Sequence, residues 1–322
     1  MLQNLAYRVL KKEIRAIARS ISLIENNMDP EGKETLIDYL HSHCGNAVVW
    51  GITGPPGAGK SSLLDRFIEI IRNNGKTVAV IAVDPSSPFS GGAILGDRLR
   101  MQKHATDDGV FIRSMASRGH LGGVAGATAD AIKIFDAAGF DYIVIETIGV
   151  GQTEIEVVEL ADIVLLVLVP GLGDEIQAMK AGVMEIGDIF IINKKDIDGA
   201  DRLRAEVEYV LSLKESNNTG FPSPISMSSA TLNEGIDETF QMIEKYYITL
   251  KTSGRLNDMR KERIEKELRH IASAKIMARA NTFLKIDQRL DSWVDEVFQK
   301  KVSPYKLLNK KIGEFLKELN WQ

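Results

Sequence analysis

"AVVWGITGPPGAGKSSLLDRFIEIIRNNG", residues 47–75, joins a short apolar run, a glycine-rich turn and a helical segment that ends at a glycine. Its centre, "GPPGAGKS" (54–61), fits the pattern G-x-x-x-x-G-K-[ST] between a strand and a helix, the context in which that pattern binds phosphate. The glycines let the backbone approach phosphate oxygens closely, Lys60 supplies a positive charge, and Ser61 offers a hydroxyl to Mg²⁺. The predicted nucleotide-binding residues of this stretch are Gly54, Pro55, Pro56, Gly57, Ala58, Gly59, Lys60, Ser61 and Ser62.

Apolar runs of strand length recur along the rest of the chain and alternate with helical patterns. Continuous Val, Ile and Leu strands alternating with helices indicate a mainly parallel α/β sheet covered on both faces, with ligands at the carboxyl ends of the strands. After the strand that begins at residue 47, we predict strands at 77–84, 110–115, 141–146, 163–170, 189–194 and 224–229. The sequence therefore predicts a P-loop α/β domain.

Helical segments flank this α/β pattern at both ends. Apolar residues at helical spacing predict a helix over 3–25, followed by a second over 29–43. We therefore expect an N-terminal helical extension (1–45), a nucleotide-binding domain (46–250) and a C-terminal helical arm (251–322). An amphipathic helix in that arm must bury its apolar face on the core, on a second copy of itself or on another protein.

Composition excludes several classes of protein. The 322 residues carry 40 Lys and Arg against 44 Asp and Glu, a net charge of -4, which does not indicate a nucleic-acid footprint. The single cysteine excludes an internal disulfide framework, and no apolar run of 18 residues occurs. We therefore expect a cytoplasmic protein with no membrane or nucleic-acid partner.

The motif "NKKD" (193–196), after an apolar strand, predicts guanine recognition. The Asp196 carboxylate can accept hydrogen bonds from both N1–H and the exocyclic amino group of guanine, whereas adenine has no such pair of donors on that edge. Lys194 can lay its stem along the base, and Asn193 can connect this loop to the phosphate loop. The "SSA" stretch (228–230) contributes Ser229 and Ala230 at another strand end. The similarity to guanine-specific nucleotide hydrolases implies that the backbone N–H of Ala230 lies at guanine O6. GTP is therefore the predicted nucleotide.

Four further stretches carry a resemblance: "DPSSPFSGGAILGDRLRM" (84–101), "SRGHLGG" (117–123), "ETIGVGQTE" (146–154) and "PGLGDEIQAMKAG" (170–182). Together they resemble the MeaB/ArgK family of P-loop GTPases, which are similar to the methylmalonic aciduria type A protein. The resemblance covers essentially the whole chain, with "NKKD" in place of the "NKAD" of many relatives.

The resemblance implies a SIMIBI-class GTP hydrolase that forms a homodimer and requires Mg²⁺. It implies a chaperone for an adenosylcobalamin-dependent acyl-CoA mutase, most often methylmalonyl-CoA mutase, which gates cofactor delivery and protects the mutase. Adenosylcobalamin would belong to the partner mutase. Two alternatives remain: a metallochaperone-type or scaffold GTPase for another enzyme, and a different acyl-CoA mutase as client.

The resemblance also assigns roles outside the phosphate loop and the guanine motif. Lys60, Asp97, Arg98, Glu146 and Gly149 are the implied catalytic residues. The implied magnesium ligands are Ser61, Asp84 and Glu146, and the implied switch residues that contact the partner are Asp174, Gln177 and Lys180. The alternative for Asp84, and less so for Glu146, is a helix or turn cap. For Arg98 it is a surface salt bridge, and for Asp174, Gln177 and Lys180 it is a solvated helix face.

Three features remain open at the level of sequence. Gln152 lies out of register with the water-positioning glutamine of other GTPases, so we expect slow intrinsic turnover that a partner accelerates. His41, His43 and Cys44 form an incomplete set of metal ligands, which would need a fourth ligand from elsewhere. His120 lies between glycines near the expected active face, with no assigned role.

Overall fold

The computed structural model describes residues 2–26, 29–84, 102–104, 106–116, 123–147, 159–171, 183–215, 222–284 and 286–319. Its strands are β1 (Val48–Thr53), β2 (Val78–Asp84), β3 (Val110–Ala116), β4 (Tyr142–Thr147), β5 (Ile163–Leu168), β6 (Ile189–Ile192) and β7 (Ile225–Met227). Within the described residues, these seven strands form one parallel sheet in the order β3-β2-β4-β1-β5-β6-β7. The predicted parallel α/β architecture is confirmed.

The helices lie before, between and after the strands along the chain. They are α1 (Leu2–Leu10), α2 (Ile14–Asn26), α3 (Pro30–His41), α4 (Lys60–Asn73), α5 (Gly123–Ala137), α6 (Val183–Ile186), α7 (Ala200–Glu215), α8 (Ile236–Thr252), α9 (Arg255–Leu284), α10 (Ile286–Phe298) and α11 (Pro304–Leu319). A short 3-10 helix covers Gln102–His104. No helix among the described residues is long and apolar enough to cross a membrane.

The central strands are buried on both faces because most of their positions are apolar. In β4, Ile143 and Ile145 pack with the N-terminal helices and α5, whereas Tyr142 and Val144 pack with α4 and α8. Successive side chains of a strand point to opposite faces of the sheet, and here both faces are buried. The helices α1–α3 therefore form part of the same hydrophobic core as the sheet.

The single helix expected over 3–25 is wrong, because the chain breaks between α1 and α2. Lys12 has φ of 58°, a left-handed conformation that an α-helix does not contain. Its ammonium donates to the Thr77 hydroxyl at 2.9 Å and the Gly139 carbonyl at 3.1 Å, and it lies 4.1 Å from the centre of the Phe140 ring. These tertiary contacts stabilise a turn that the apolar spacing does not reveal.

The ends of three strands also differ from the prediction. β5, β6 and β7 end at Leu168, Ile192 and Met227, two residues before the predicted ends at 170, 194 and 229. The residues beyond β6 and β7 leave the sheet because they form the loops of the candidate site, where Asn193 and Ser229 make side-chain hydrogen bonds.

The chain divides into two compact units, Met1–Arg260 and Lys261–Gln322. The first unit ends with a buried ion pair: Arg260 binds both carboxylate oxygens of Asp162, at 2.6 and 3.0 Å, and donates to the carbonyls of Gly45 and Ala47. Asp162 is fully buried and also accepts from the backbone N–H of Val49. The start of α9 is thereby fixed to the amino ends of β1 and β5.

The second unit is helical and has a small core of its own. Trp293 and Leu307 are buried there, with Ala280, Val297 and Val302 packed against them. Many of its large apolar side chains are exposed, including Phe298 at 84% and Tyr305 at 83%. The assignment of 251–322 as a dimerisation arm stays a prediction.

Candidate functional site

The phosphate loop connects β1 to α4 at the centre of the sheet, where β1 lies between β4 and β5. Gly54 has φ of 147°, and a Cβ there would lie 2.2 Å from the carbonyl oxygen of Val167. Gly59 has φ of 84°, and a Cβ there would lie 2.4 Å from Nδ2 of Asn193. Both positions therefore require glycine, for backbone conformation and for close packing.

Lys60, the first residue of α4, folds back over this loop. Its Nζ donates to the carbonyls of Gly54 at 2.7 Å and Pro55 at 3.0 Å, and the residue is 6% exposed. The ammonium thus lies against the first two residues of the loop, near the positive end of the α4 dipole. This arrangement suits a polyphosphate, whose negative charge the loop, the helix and Lys60 stabilise together.

Ser61 and Glu146 meet beside the loop. The Ser61 hydroxyl donates to Oε1 of Glu146 at 2.6 Å, and Glu146 is 5% exposed near the carboxyl end of β4. A hydroxyl and a carboxylate form the oxygen-rich donor set that a hard cation such as Mg²⁺ prefers. Asp84 is the last residue of the neighbouring strand β2; its side chain lies outside the described residues.

Asn193 connects the guanine motif to the phosphate loop and to the "SSA" stretch. Its Nδ2 donates to the Ala58 carbonyl at 2.8 Å, and its Oδ1 accepts the backbone N–H of Ala230 at 3.1 Å. Asn193 is 2% exposed, so both hydrogen bonds are shielded from water. The N–H of Ala230, which the sequence assigned to guanine O6, is therefore engaged by Asn193 in this structure.

Asp196 lies exposed beyond the strand end, where a base can reach it. A hydrogen bond from the Ser229 side chain, with one from its own backbone, lowers the pKa of the Asp196 carboxyl below its ordinary value. The carboxylate is therefore ionised near neutral pH, which suits the predicted role of Asp196 as an acceptor for the two guanine donors. Lys194 holds a left-handed φ of 58° in the turn before it.

A cleft of about 370 Å³ lies between α4 and the "SSA" stretch. It is lined by Ser61, Ser62, Asp65, Arg66, Ala230 and Thr231. Sequence reasoning did not single out Asp65, Arg66 or Thr231. The available signal was spacing, because residues three and four positions after Ser62 share its face of the helix.

Asp65, which lines the cleft, is also held by the 3-10 helix at Gln102–His104. His104 Nε2 lies 2.8 Å from Oδ1 of Asp65, and Lys103 Nζ lies 3.5 Å from Oδ2. The 3-10 helix is thereby attached to α4. The other predicted site residues lie outside the described residues: Asp97, Arg98, Gly149, Asp174, Gln177 and Lys180, together with Gln152 and His120.

The histidine and cysteine residues at 41–44 make contacts with their surroundings. The Cys44 thiol donates to the carbonyls of Leu40 and Lys133, and burial, with the nearby Asp136 carboxylate, raises its pKa to about 11. His43 Nδ1 lies 3.1 Å from the Ser42 hydroxyl. Within the described residues, no three His, Cys, Asp or Glu side chains assemble as a metal site.

Known proteins match this chain in sequence. A protein of Pyrococcus abyssi, provisionally named as a GTPase, is 48% identical over 95% of this chain and 94% of its own length. The GTPase ArgK of Escherichia coli is 36% identical over 81% of each chain. A mouse protein, the mitochondrial methylmalonic aciduria type A homolog, is 38% identical over 64% of this chain and 50% of its own length.

A solved structure and a family profile agree with these matches. The crystal structure of a protein described as a LAO/AO transport system kinase superposes with a TM-score of 0.68 at 27% identity, covering 98% of this chain and 97% of that one. The profile described as methylmalonyl Co-A mutase-associated GTPase MeaB matches residues 17–284. The phosphate loop, the guanine loop held to it by Asn193 and these matches together show that the chain is a GTP hydrolase and belongs to the MeaB family of methylmalonyl-CoA mutase-associated GTPases.

Proposed function

We propose that this GTPase chaperones an adenosylcobalamin-dependent acyl-CoA mutase, with methylmalonyl-CoA mutase as the preferred client. GTP hydrolysis would gate delivery of the cofactor to the mutase and protect the mutase from inactivation. The observation that carries the proposal is the match of residues 17–284 to a family defined by its association with that mutase. The geometry of the described site supports the part of the proposal that concerns nucleotide binding.

In this proposal the nucleotide lies across the carboxyl ends of the central strands. The loop from Gly54 to Lys60 holds the β and γ phosphates, and the Asp196 carboxylate accepts from the guanine base. Water attacks the γ-phosphate in line, and catalysis comes mainly from positioning and from neutralising charge. The predicted roles of Asp97, Arg98 and Gly149 at the γ-phosphate remain part of the proposal.

The proposal includes a magnesium ion next to the phosphates. Ser61 and Glu146 fit it, because their oxygens already lie 2.6 Å apart in a partly buried position beside the loop. Asp84 would contribute from the end of β2. When bound, Mg²⁺ would neutralise phosphate charge as it builds up on the leaving group.

The second compact unit, with residues 251–260, is proposed to dimerise the protein. Exposed apolar side chains support this role, since such residues bury their surface against a partner. They include Ile264, Leu268, Ile276, Met277, Leu290, Val294, Phe298 and Tyr305. Sedimentation equilibrium tests the proposal: a monomer at all micromolar concentrations would refute it.

Single-turnover GTP hydrolysis with and without purified mutases tests the client. We expect slow turnover alone and acceleration by methylmalonyl-CoA mutase. A Lys60→Ala variant should abolish the accelerated rate as well as the basal one, which controls for contaminating hydrolases. Acceleration by isobutyryl-, ethylmalonyl- or hydroxyisobutyryl-CoA mutase instead would reassign the client.

Affinity capture from the native cell gives an independent test. Bait protein loaded with GDP or with a non-hydrolysable GTP analogue should recover a cobalamin enzyme in at least one state. Recovery of none, with no acceleration by any acyl-CoA mutase, would refute the chaperone role and favour a GTPase that serves another enzyme.

A further inference from the structure

We propose that Arg66 is a positioning residue for guanine, which holds the "SSA" stretch at a fixed distance from the phosphate loop. Arg66 lies on α4, the helix that begins at Lys60. Its Nε donates to the carbonyl oxygen of Ala230 at 3.1 Å, across 164 residues of sequence. This contact joins the helix that carries the phosphate loop to the segment expected at the base.

The guanidinium is fixed on both sides. Nη1 of Arg66 lies 3.2 Å from Oε2 of Glu69, one turn further along α4, while Nε binds Ala230. A planar guanidinium presents several donors in a rigid fork, so these two partners together orient it. Arg66 is therefore a preorganised donor to the Ala230 carbonyl.

Both backbone polar groups of Ala230 are occupied by parts of the site. Its N–H donates to Oδ1 of Asn193, and its carbonyl accepts from Arg66. Asn193 in turn donates to the carbonyl of Ala58 in the phosphate loop. The contacts form a closed ring from the phosphate loop through Asn193 and Ala230 to α4, and Arg66 is the member that closes it.

The ring has a consequence for ligands of different length. A guanine nucleotide spans both loops, so its affinity depends on their spacing, and disorder in either loop costs binding free energy. Inorganic pyrophosphate occupies only the phosphate loop. Loss of the Arg66 contact should therefore weaken GDP binding and leave pyrophosphate binding unchanged.

This inference rests on the guanine-nucleotide site within the proposed function and is independent of the client enzyme. If wild-type protein bound no GDP, the site itself would fail. If wild-type protein bound GDP normally and no mutase responded, only the chaperone role would fail.

The test compares Arg66→Ala with Arg72→Ala on the same helix. Arg72 is a matched control: both arginine side chains are 27% exposed, and each binds one carboxylate and one backbone carbonyl. Isothermal titration calorimetry with Mg²⁺ measures GDP and pyrophosphate separately, and thermal unfolding confirms that each variant is folded. For Arg66→Ala we expect GDP affinity about fivefold lower, the size of one typical intramolecular hydrogen bond, with pyrophosphate affinity unchanged. Arg72→Ala should change neither.

An Arg66→Lys variant separates the donor from simple packing. A lysine ammonium lies one bond beyond the Nε position and keeps a charged donor near the Ala230 carbonyl, so we expect GDP affinity within about twofold of wild type. Three results would overturn the inference: unchanged GDP affinity in Arg66→Ala, equal losses for GDP and pyrophosphate, or an Arg66→Lys variant as weak as Arg66→Ala.

Discussion

Replacement of Asn193 by alanine tests how the guanine loop is held. Asn193 makes one hydrogen bond to the phosphate loop, at Ala58, and one to Ala230, at 2.8 and 3.1 Å. The residue is 2% exposed, so water cannot easily replace either bond. Asn193→Ala leaves a buried carbonyl and a buried N–H without these partners.

The expected magnitude follows from these two contacts. Each buried neutral hydrogen bond contributes about 1 kcal/mol net, and an orphaned polar group adds to the loss, so the free energy of unfolding should fall by about 2–3 kcal/mol. The nucleotide must then order the loosened loops, and the cost of this ordering reduces the free energy of binding. GDP affinity should therefore fall by about tenfold or more, since about 1.4 kcal/mol corresponds to a factor of ten.

Urea unfolding and GDP titration measure the two effects on the same preparation. Asn46→Ala is the control, because Asn46 is exposed and its Nδ2 makes one long contact, 3.3 Å, to the His43 carbonyl. It should change unfolding free energy by less than about 0.5 kcal/mol. Asn193→Ala with wild-type GDP affinity would show that the connection between the loops has no part in binding.

Three other substitutions or conditions have defined outcomes. Asp196→Asn should lower GDP affinity by more than about a hundredfold and favour xanthosine diphosphate, because the 2-oxo group of xanthine accepts from the new amide. If competition binding still showed a preference for guanine, the proposed role of Asp196 in binding the base would be contradicted. Arg260→Ala should lower the free energy of unfolding, measured by urea titration, by about 3 kcal/mol, because fully buried Asp162 loses its charge partner. A loss below about 0.5 kcal/mol, the size of an exposed ion pair, would show that the pair does not stabilise the fold in this way. The Cys44 thiol has its pKa raised to about 11, so only a small fraction is thiolate near neutral pH. Its alkylation at pH 8 should therefore be about 200-fold slower than that of a free thiol, and the rate should rise about tenfold per pH unit. Fast alkylation at pH 8 would show that the thiol is not buried as described.

Much of the fold follows from local sequence because its signals are local. Most strands are short runs rich in Val, Ile and Leu, and every predicted strand is confirmed in the structure to within two residues at its carboxyl end. The phosphate loop is equally local, since its glycines, lysine and serine are adjacent in the chain. The family assignment, made from stretches of 7 to 18 residues, is confirmed by the profile match over 17–284.

Other features depend on contacts between distant residues. The break at Lys12 is stabilised by contacts with Thr77 and Gly139. The spacing of apolar residues near position 12 does not indicate these contacts. The pairing of Arg260 with Asp162 joins residues 98 positions apart. In the same way, Arg66 resembles any solvated arginine of an amphipathic helix until Ala230 is placed against it.

The sequence by itself determined the class of protein, the parallel α/β sheet, the phosphate loop and the preference for guanine. These properties depend on residue types at short spacing, which fix backbone conformation and hydrogen-bonding chemistry directly. The tertiary structure alone decided which partners the polar groups of the site take. It directs the N–H of Ala230 to Asn193 and its carbonyl to Arg66, because those groups meet only when β1, β6 and β7 lie in one sheet beside α4.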